Sequence, residues 1–198
     1  PLALSGGVDS SLLAALIKPK FAISVELPGD EKYNEIKWAK KVAKLLKLKH
    51  IVVKLETAKF DEYVKEAVKA IGRPIPHFNI FPLFAMYKKL KELGETEVIL
   101  GDGPDETMCG YGRDLIIEYL YQVYKLEALT NYKPLIDKIL PSKSGAIKLV
   151  TNLDGYEDVV AADIAMRKDM DDMSNGIAKH FGIKNIRPYQ DNPELDNY

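Results

Sequence analysis

Leu4-Ser5-Gly6-Gly7-Val8-Asp9-Ser10-Ser11 follows the short apolar run at 2–4 and opens a helical pattern at 10–17. Adjacent glycines after a strand let backbone N–H groups converge on an anion with no Cβ in the way. The helix that follows aims its dipole and its free amides at the same point. Ser5, Ser10 and Ser11 add hydroxyl donors that bind phosphate oxygens without adding charge. Asp9 is the odd member, because an anion beside phosphates is repulsive unless a cation lies between them. Mg²⁺, which takes one or two carboxylates plus phosphate oxygens, removes that conflict. The plain alternative is a glycine-rich turn with Asp9 as the helix N-cap. The octet is not a Walker loop, since no Gly-Lys-Ser/Thr follows. Nor is it a dinucleotide fingerprint, since its glycines are adjacent rather than spaced.

Outward from this loop, apolar runs alternate with three-and-four periodicity, the pattern of βα units stacked around a parallel sheet. Strands are expected at 2–4, 21–25, 51–55 and 97–100. Helices are expected at 10–17, 31–46, 60–71 and 81–93. The first carries apolar Leu12, Leu13, Leu16 and Ile17, and the second apolar Ile36, Ala39, Val42, Ala43 and Leu46 at three-and-four spacing. Beyond 114 the pattern turns helical, at 115–129, 132–139 and 156–180, with a loop at 141–152 and no strong strand. The expected organisation is an α/β nucleotide-binding core at 1–112 and a helical extension at 113–198 that completes the same domain. The fold class is a parallel twisted sheet flanked by helices.

Bulk properties narrow the functional classes. With 198 residues, a net charge of -1 and 46% hydrophobic residues, the chain fits one globular domain with no dominant basic face. Nucleic acid is therefore not the expected partner, although a local basic patch stays open. The single cysteine, Cys109, rules out an internal disulfide and a paired-cysteine metal motif. No run approaches the eighteen or so apolar residues of a membrane helix. The chain opens at Pro1 inside a strand-like run, so native residues are expected before it, and cytoplasm is the default location.

A second motif, Gly101-Asp102-Gly103-Pro104-Asp105-Glu106, follows the apolar run at 98–100. Its three carboxylates lie where a parallel sheet gathers strand ends, and ligands bind at that edge where strand order reverses. Asp105 is placed to complete a two-carboxylate Mg²⁺ site with Asp9. A solvated acidic turn is the plain alternative. The three histidines, His50, His77 and His180, show no metal spacing and read as structural or surface groups.

The Ser5-Gly6-Gly7-Val8-Asp9-Ser10 string resembles the signature loop of the PP-loop ATP pyrophosphatases. With Gly110-Tyr111, the acidic turn is similar to the SGEGxDExxxGY stretch of the asparagine synthetase family. The helix at 39–46 followed by His50 is similar to that family's AxxVAxxLxxxH segment. Arg187-Pro188-Tyr189-Gln190-Asp191 looks like a degraded form of its GxExRxPFLD segment. The resemblance implies an ATP-dependent ligase that adenylates a carboxylate, releases AMP and pyrophosphate, and passes the acyl group to ammonia or another amine. It implies that Leu4, Ser5, Gly6, Gly7, Asp9, Ser10, Ser11, Val25 and Gly101 contact ATP or pyrophosphate. Asp9 and Asp105 would hold Mg²⁺. Asp102 stands where the family has a glutamate or tyrosine that helps deprotonate the amine, and is the candidate catalytic residue.

This sequence also departs from the family. Cys109 replaces a glycine, and the helix expected to carry a basic motif reads Asp169-Met170-Asp171-Asp172-Met173-Ser174-Asn175-Gly176. The family's late-acting lysine and its amino-terminal glutaminase domain have no counterpart in these 198 residues. A separate glutaminase subunit and a second copy of the chain are therefore candidate partners, beside ATP and a small carboxylate. A tRNA-modifying enzyme of the same superfamily and a catalytically impaired nucleotide-binding subunit remain open as alternative readings.

Overall fold

The computed structural model describes residues 1–29, 34–75, 79–107 and 156–190. In chain order the elements are β1 (Leu2–Ala3), α1 (Val8–Ile17), β2 (Ala22–Glu26), α2 (Ile36–Leu45) and β3 (His50–Lys54). They continue with α3 (Phe60–Ile71), α4 (Ile80–Glu92), β4 (Glu97–Ile99), α5 (Pro104–Thr107), α6 (Tyr156–Phe181) and β5 (Lys184–Ile186). The helices expected at 115–129 and 132–139, the loop at 141–152, Cys109 and the Gly110-Tyr111 pair lie outside the described residues. So do His77 and Asp191.

The chain divides into two compact units, 1–103 with 169–198, and 104–168. The first carries the sheet. Its five strands run in the order β3-β2-β1-β4-β5, and every pairing is parallel. The registers are Leu2 opposite Ala22 and Ile99, and Ile23 opposite Ile51. The expected α/β class is what the structure shows. In the second unit, α5 follows directly on Gly103, and the first half of α6 closes the unit.

Apolar residues on alternate sides of the strands build two cores. Leu2, Leu4 and Ala22 pack with Leu13 and Ala14 of α1 and Ile36, Ala39 and Ala43 of α2. On the other face Phe21, Ile23 and Val98 pack with Tyr63 and Ala67 of α3, Phe84, Tyr87 and Leu90 of α4, and Met173 and Ile177 of α6. Phe84, Tyr87, Leu90, Met173 and Ile177 are fully buried. Each such side chain contributes about 1.5–3 kcal/mol relative to exposure. Pro82 sits in the first turn of α4, where its missing N–H has no helical acceptor to lose.

On α1, Ser10, Leu13 and Ala14 are buried, while Leu12, Leu16 and Ile17 are exposed. Positions 12 and 16 are four apart and share one stripe, and the other stripe meets the sheet. A strand also exists where none was expected, because β5 pairs with β4 from Lys184 opposite Glu97 to Ile186 opposite Ile99. Its three residues sit at the sheet edge, so Lys184 and Asn185 need no apolar character.

Candidate active site

Strand order reverses direction between β1 and β4. The chain moves outward from β1 to β2 and β3, then returns to lay β4 on the other side of β1. Loops leaving the C-terminal ends of β1 and β4 therefore flank one crevice, the usual ligand position in an open parallel sheet. Both sequence motifs leave from these two ends. Gly101 lies so close to the start of α1 that a Cβ built on it would stand 3.2 Å from the Ser10 nitrogen and 3.3 Å from its Cα.

The first loop is braced by its own hydroxyls. Ser10 Oγ donates to the Gly7 carbonyl at 3.3 Å and lies 2.9 Å from Ser5 Oγ. The Gly7 amide donates to Ser5 Oγ at 3.1 Å, and the Ser5 amide to Ser10 Oγ at 3.3 Å. Ser10 is buried accordingly. Gly6, at φ +89°, presses on the start of α2, where an added Cβ would meet the Ala39 nitrogen at 2.4 Å. Only glycine combines that conformation with that approach.

Past the loop, the first helical hydrogen bond of α1 runs from the Ser11 amide to the Gly7 carbonyl, 3.1 Å. The amides of Val8, Asp9 and Ser10 stand outside the helical ladder, and no side chain caps them. Ser11 Oγ is buried with no hydrogen-bond partner among the described residues. Uncapped amides and an unused hydroxyl at a sheet's ligand edge fit an anionic phosphate group. Among the described residues, no three His, Cys, Asp or Glu side chains gather as a metal cage. A Mg²⁺ shared between phosphates and one or two carboxylates does not need three. Asp9 is half-buried on the first turn of α1, and Asp105 lies on α5 in the other unit.

Behind the loop, Ser24 donates to the Leu4 carbonyl. With its only proton used there, Ser24 Oγ accepts from His50 Nε2 at 2.7 Å, which fixes the histidine tautomer. Burial first, and the charge of Lys40 second, hold the His50 pKa below its ordinary value. His50 is thus a structural group, as expected. Leu4 and Val25 lie at the C-terminal ends of β1 and β2, on the same side of the sheet as the glycine loop.

The segment leaving β5 reaches both motifs. Tyr189 donates from its hydroxyl to the Asp9 carbonyl at 3.1 Å. Burial, then the Asp9 charge, raise the Tyr189 pKa and keep it a protonated donor. Arg187, 6% exposed, places Nε 3.6 Å from Asp102 and 3.5 Å from Asp171, and donates from Nη1 to Asn175 at 2.8 Å. Gln190 packs over Gly103, where an added Cβ would stand 2.7 Å from its Cγ. Arg187 thus pairs with Asp171 of α6 and also with the candidate catalytic residue.

The sequence profile of the asparagine synthase family matches residues 2–161. The chain belongs to the asparagine synthase family. A provisionally named asparagine synthetase (glutamine-hydrolyzing) 1 of Methanocaldococcus jannaschii is 28% identical over 184 residues, covering 86% of this chain and 34% of that protein. The asparagine synthetase (glutamine-hydrolyzing) of Asparagus officinalis is 33% identical over 128 residues, 54% of this chain and 20% of that protein. Asparagine synthetase (glutamine-hydrolyzing) 2 of Arabidopsis thaliana is 30% identical over 128 residues, 54% of this chain and 21% of that protein. The chain thus spans about a third or less of the length of these relatives. As an asparagine synthase family member, it keeps the glycine loop and the acidic turn on neighbouring strands of one sheet. Among the described residues, no helix is long and apolar enough to cross a membrane.

Proposed function

We propose that this chain is an ATP-dependent amide-forming ligase that cleaves ATP to AMP and pyrophosphate to activate a carboxylate. The contact of Gly101 with Ser10 is the observation that carries this reading, because it joins the two motif loops at the reversal of strand order. ATP phosphates are assigned to the 5–11 loop and the first-turn amides of α1, with Leu4, Val25 and Gly101 along the nucleotide. Asp9 and Asp105 are the proposed Mg²⁺ ligands, an assignment supported by the family resemblance of their two motifs. The ion supplies charge neutralisation on the phosphates.

A carboxylate oxygen attacks the α-phosphorus, the bond to pyrophosphate breaks, and an acyl-adenylate forms. An amine then attacks the acyl carbon, AMP leaves, and the amine proton passes to a base, for which Asp102 is assigned. The chain's own part is mainly orientation and electrostatic stabilisation. Ammonia is the proposed amine, delivered by a separate glutaminase subunit, and aspartate is the first carboxylate to try, following the relatives' printed names. Residues 113–198 are proposed to complete the same domain, which the return of β5 to the sheet supports for the last stretch. Cytoplasm is the proposed location.

Amide formation from a panel of amino acids tests the reading. Ammonium should support it, and glutamine should support it only when a glutaminase partner is added. Amide formation from glutamine by the chain alone contradicts the assignment of a separate glutaminase. No amide from any amino acid with ammonium contradicts the ligase reading itself.

A further inference from the structure

We propose that Arg187 is a positioning residue for the amine step, holding the Asp102 carboxylate at the outlet of β4. The inference rests on the assignment of Asp102 as the group that receives the amine's proton.

The guanidinium is anchored from behind rather than by Asp102. Asn175 Oδ1 accepts from Arg187 Nη1 at 2.8 Å and from Asn185 Nδ2 at 2.9 Å. Asn185 in turn accepts from the Tyr87 hydroxyl at 2.6 Å, and Ser174 Oγ lies 3.0 Å from that hydroxyl. Tyr87, on α4, is fully buried in the core it shares with the sheet and α6, and burial raises its pKa so that it stays a donor. A continuous polar chain therefore runs from the core to Arg187 and ends at the sheet edge on Asp102.

The two carboxylates beside the guanidinium differ in exposure. The Asp171 side chain is 23% exposed, whereas that of Asp102 is 57% exposed and faces solvent. Asp102 is thus the carboxylate that an approaching amine meets, where positive charge develops as the new C–N bond forms. An aspartate has one methylene less than the family's glutamate and fewer rotamers to search. A fixed guanidinium at 3.6 Å then sets where its oxygens stand.

Two reactions of the same protein separate positioning for the amine step from general support. Exchange of labelled pyrophosphate into ATP, dependent on the carboxylate that the panel identifies, needs no amine, whereas ammonium-dependent AMP formation does. Arg187→Met should keep the exchange rate within about threefold of wild type, while ammonium-dependent turnover falls about ten- to a hundredfold. Arg187→Lys keeps the charge without the planar fork and should fall between the two. If Arg187→Met does not fold, Arg187→Lys is judged by the same split. A folded variant in which both rates fall together, or neither falls, overturns the positioning role. A wild-type protein that shows neither reaction with any amino acid of the panel, ammonium and Mg·ATP overturns the ligase reading and this inference with it.

Discussion

Gly101 and Ser10, on loops that leave different strands, approach so closely that a Cβ on Gly101 would lie 3.2 Å from the Ser10 nitrogen. The contact ties the outlet of β4 to the first turn of α1, where the uncapped amides lie. Any side chain at 101 has to push one loop away from the other.

Gly6 and Gly101 should therefore respond differently to alanine. At Gly6 the new Cβ meets backbone at 2.4 Å with φ at +89°, so Gly6→Ala is expected to cost at least about 2 kcal/mol. At Gly101 the overlap is a few tenths of an ångström. Gly101→Ala should cost about 1 kcal/mol or less while still lowering pyrophosphate release. Urea denaturation of both variants, with turnover measured beside it, checks the order. Equal destabilisation would contradict these contacts.

Tyr189 offers a separable handle on the same loop. Tyr189→Phe removes the hydrogen bond to the Asp9 carbonyl and leaves the ring in place. A stability loss of about 0.5–1.5 kcal/mol is expected, with a raised KM for ATP because the first turn of α1 loses a support. Thermal melts and steady-state kinetics decide it, and an unchanged KM would remove Tyr189 from the site.

Much of the fold could be read from local sequence. The three-and-four spacing from Ile36 to Leu46 and from Phe60 to Ile71 reflects helices that bury one face, the first on the sheet and the second on α4, and a single face is enough to reveal that. Leu12 and Leu16 are apolar yet exposed, because an apolar residue on a helix need not face the core. β5 was hidden because an edge strand of three residues carries no alternation to read. At the site, the glycine loop and the acidic turn were legible because each concentrates its chemistry within a few residues. The contacts of Tyr189 and Arg187 with these loops were not. Tyr189 meets Asp9 across 180 positions of chain, and only the pairing of β4 with β5 brings Arg187 beside Asp102. Ser24 and His50 meet the same way, through the β2–β3 register rather than through any spacing.

His50 gives a pH-dependent signature. Because the folded protein holds its pKa below 6.5, protonation favours the unfolded chain. The stability contributed by the neutral ring is fully present above pH 6.5 and is lost as pH falls through the lower folded value. His50→Gln keeps an N–H for Ser24 without titrating. The difference in unfolding free energy between wild type and His50→Gln should shrink as pH falls across that window. A difference that stays constant with pH would mean that His50 is not held neutral.

The central claim is that ATP is split between its α- and β-phosphates at the loop that carries Asp9. Product analysis by anion exchange, with Mg·ATP, ammonium and a panel of carboxylates, tests it most directly. AMP and pyrophosphate should form in equal amounts with the correct carboxylate, and Asp9→Asn should form neither. ADP and orthophosphate as products, or wild-type turnover by folded Asp9→Asn, would contradict it.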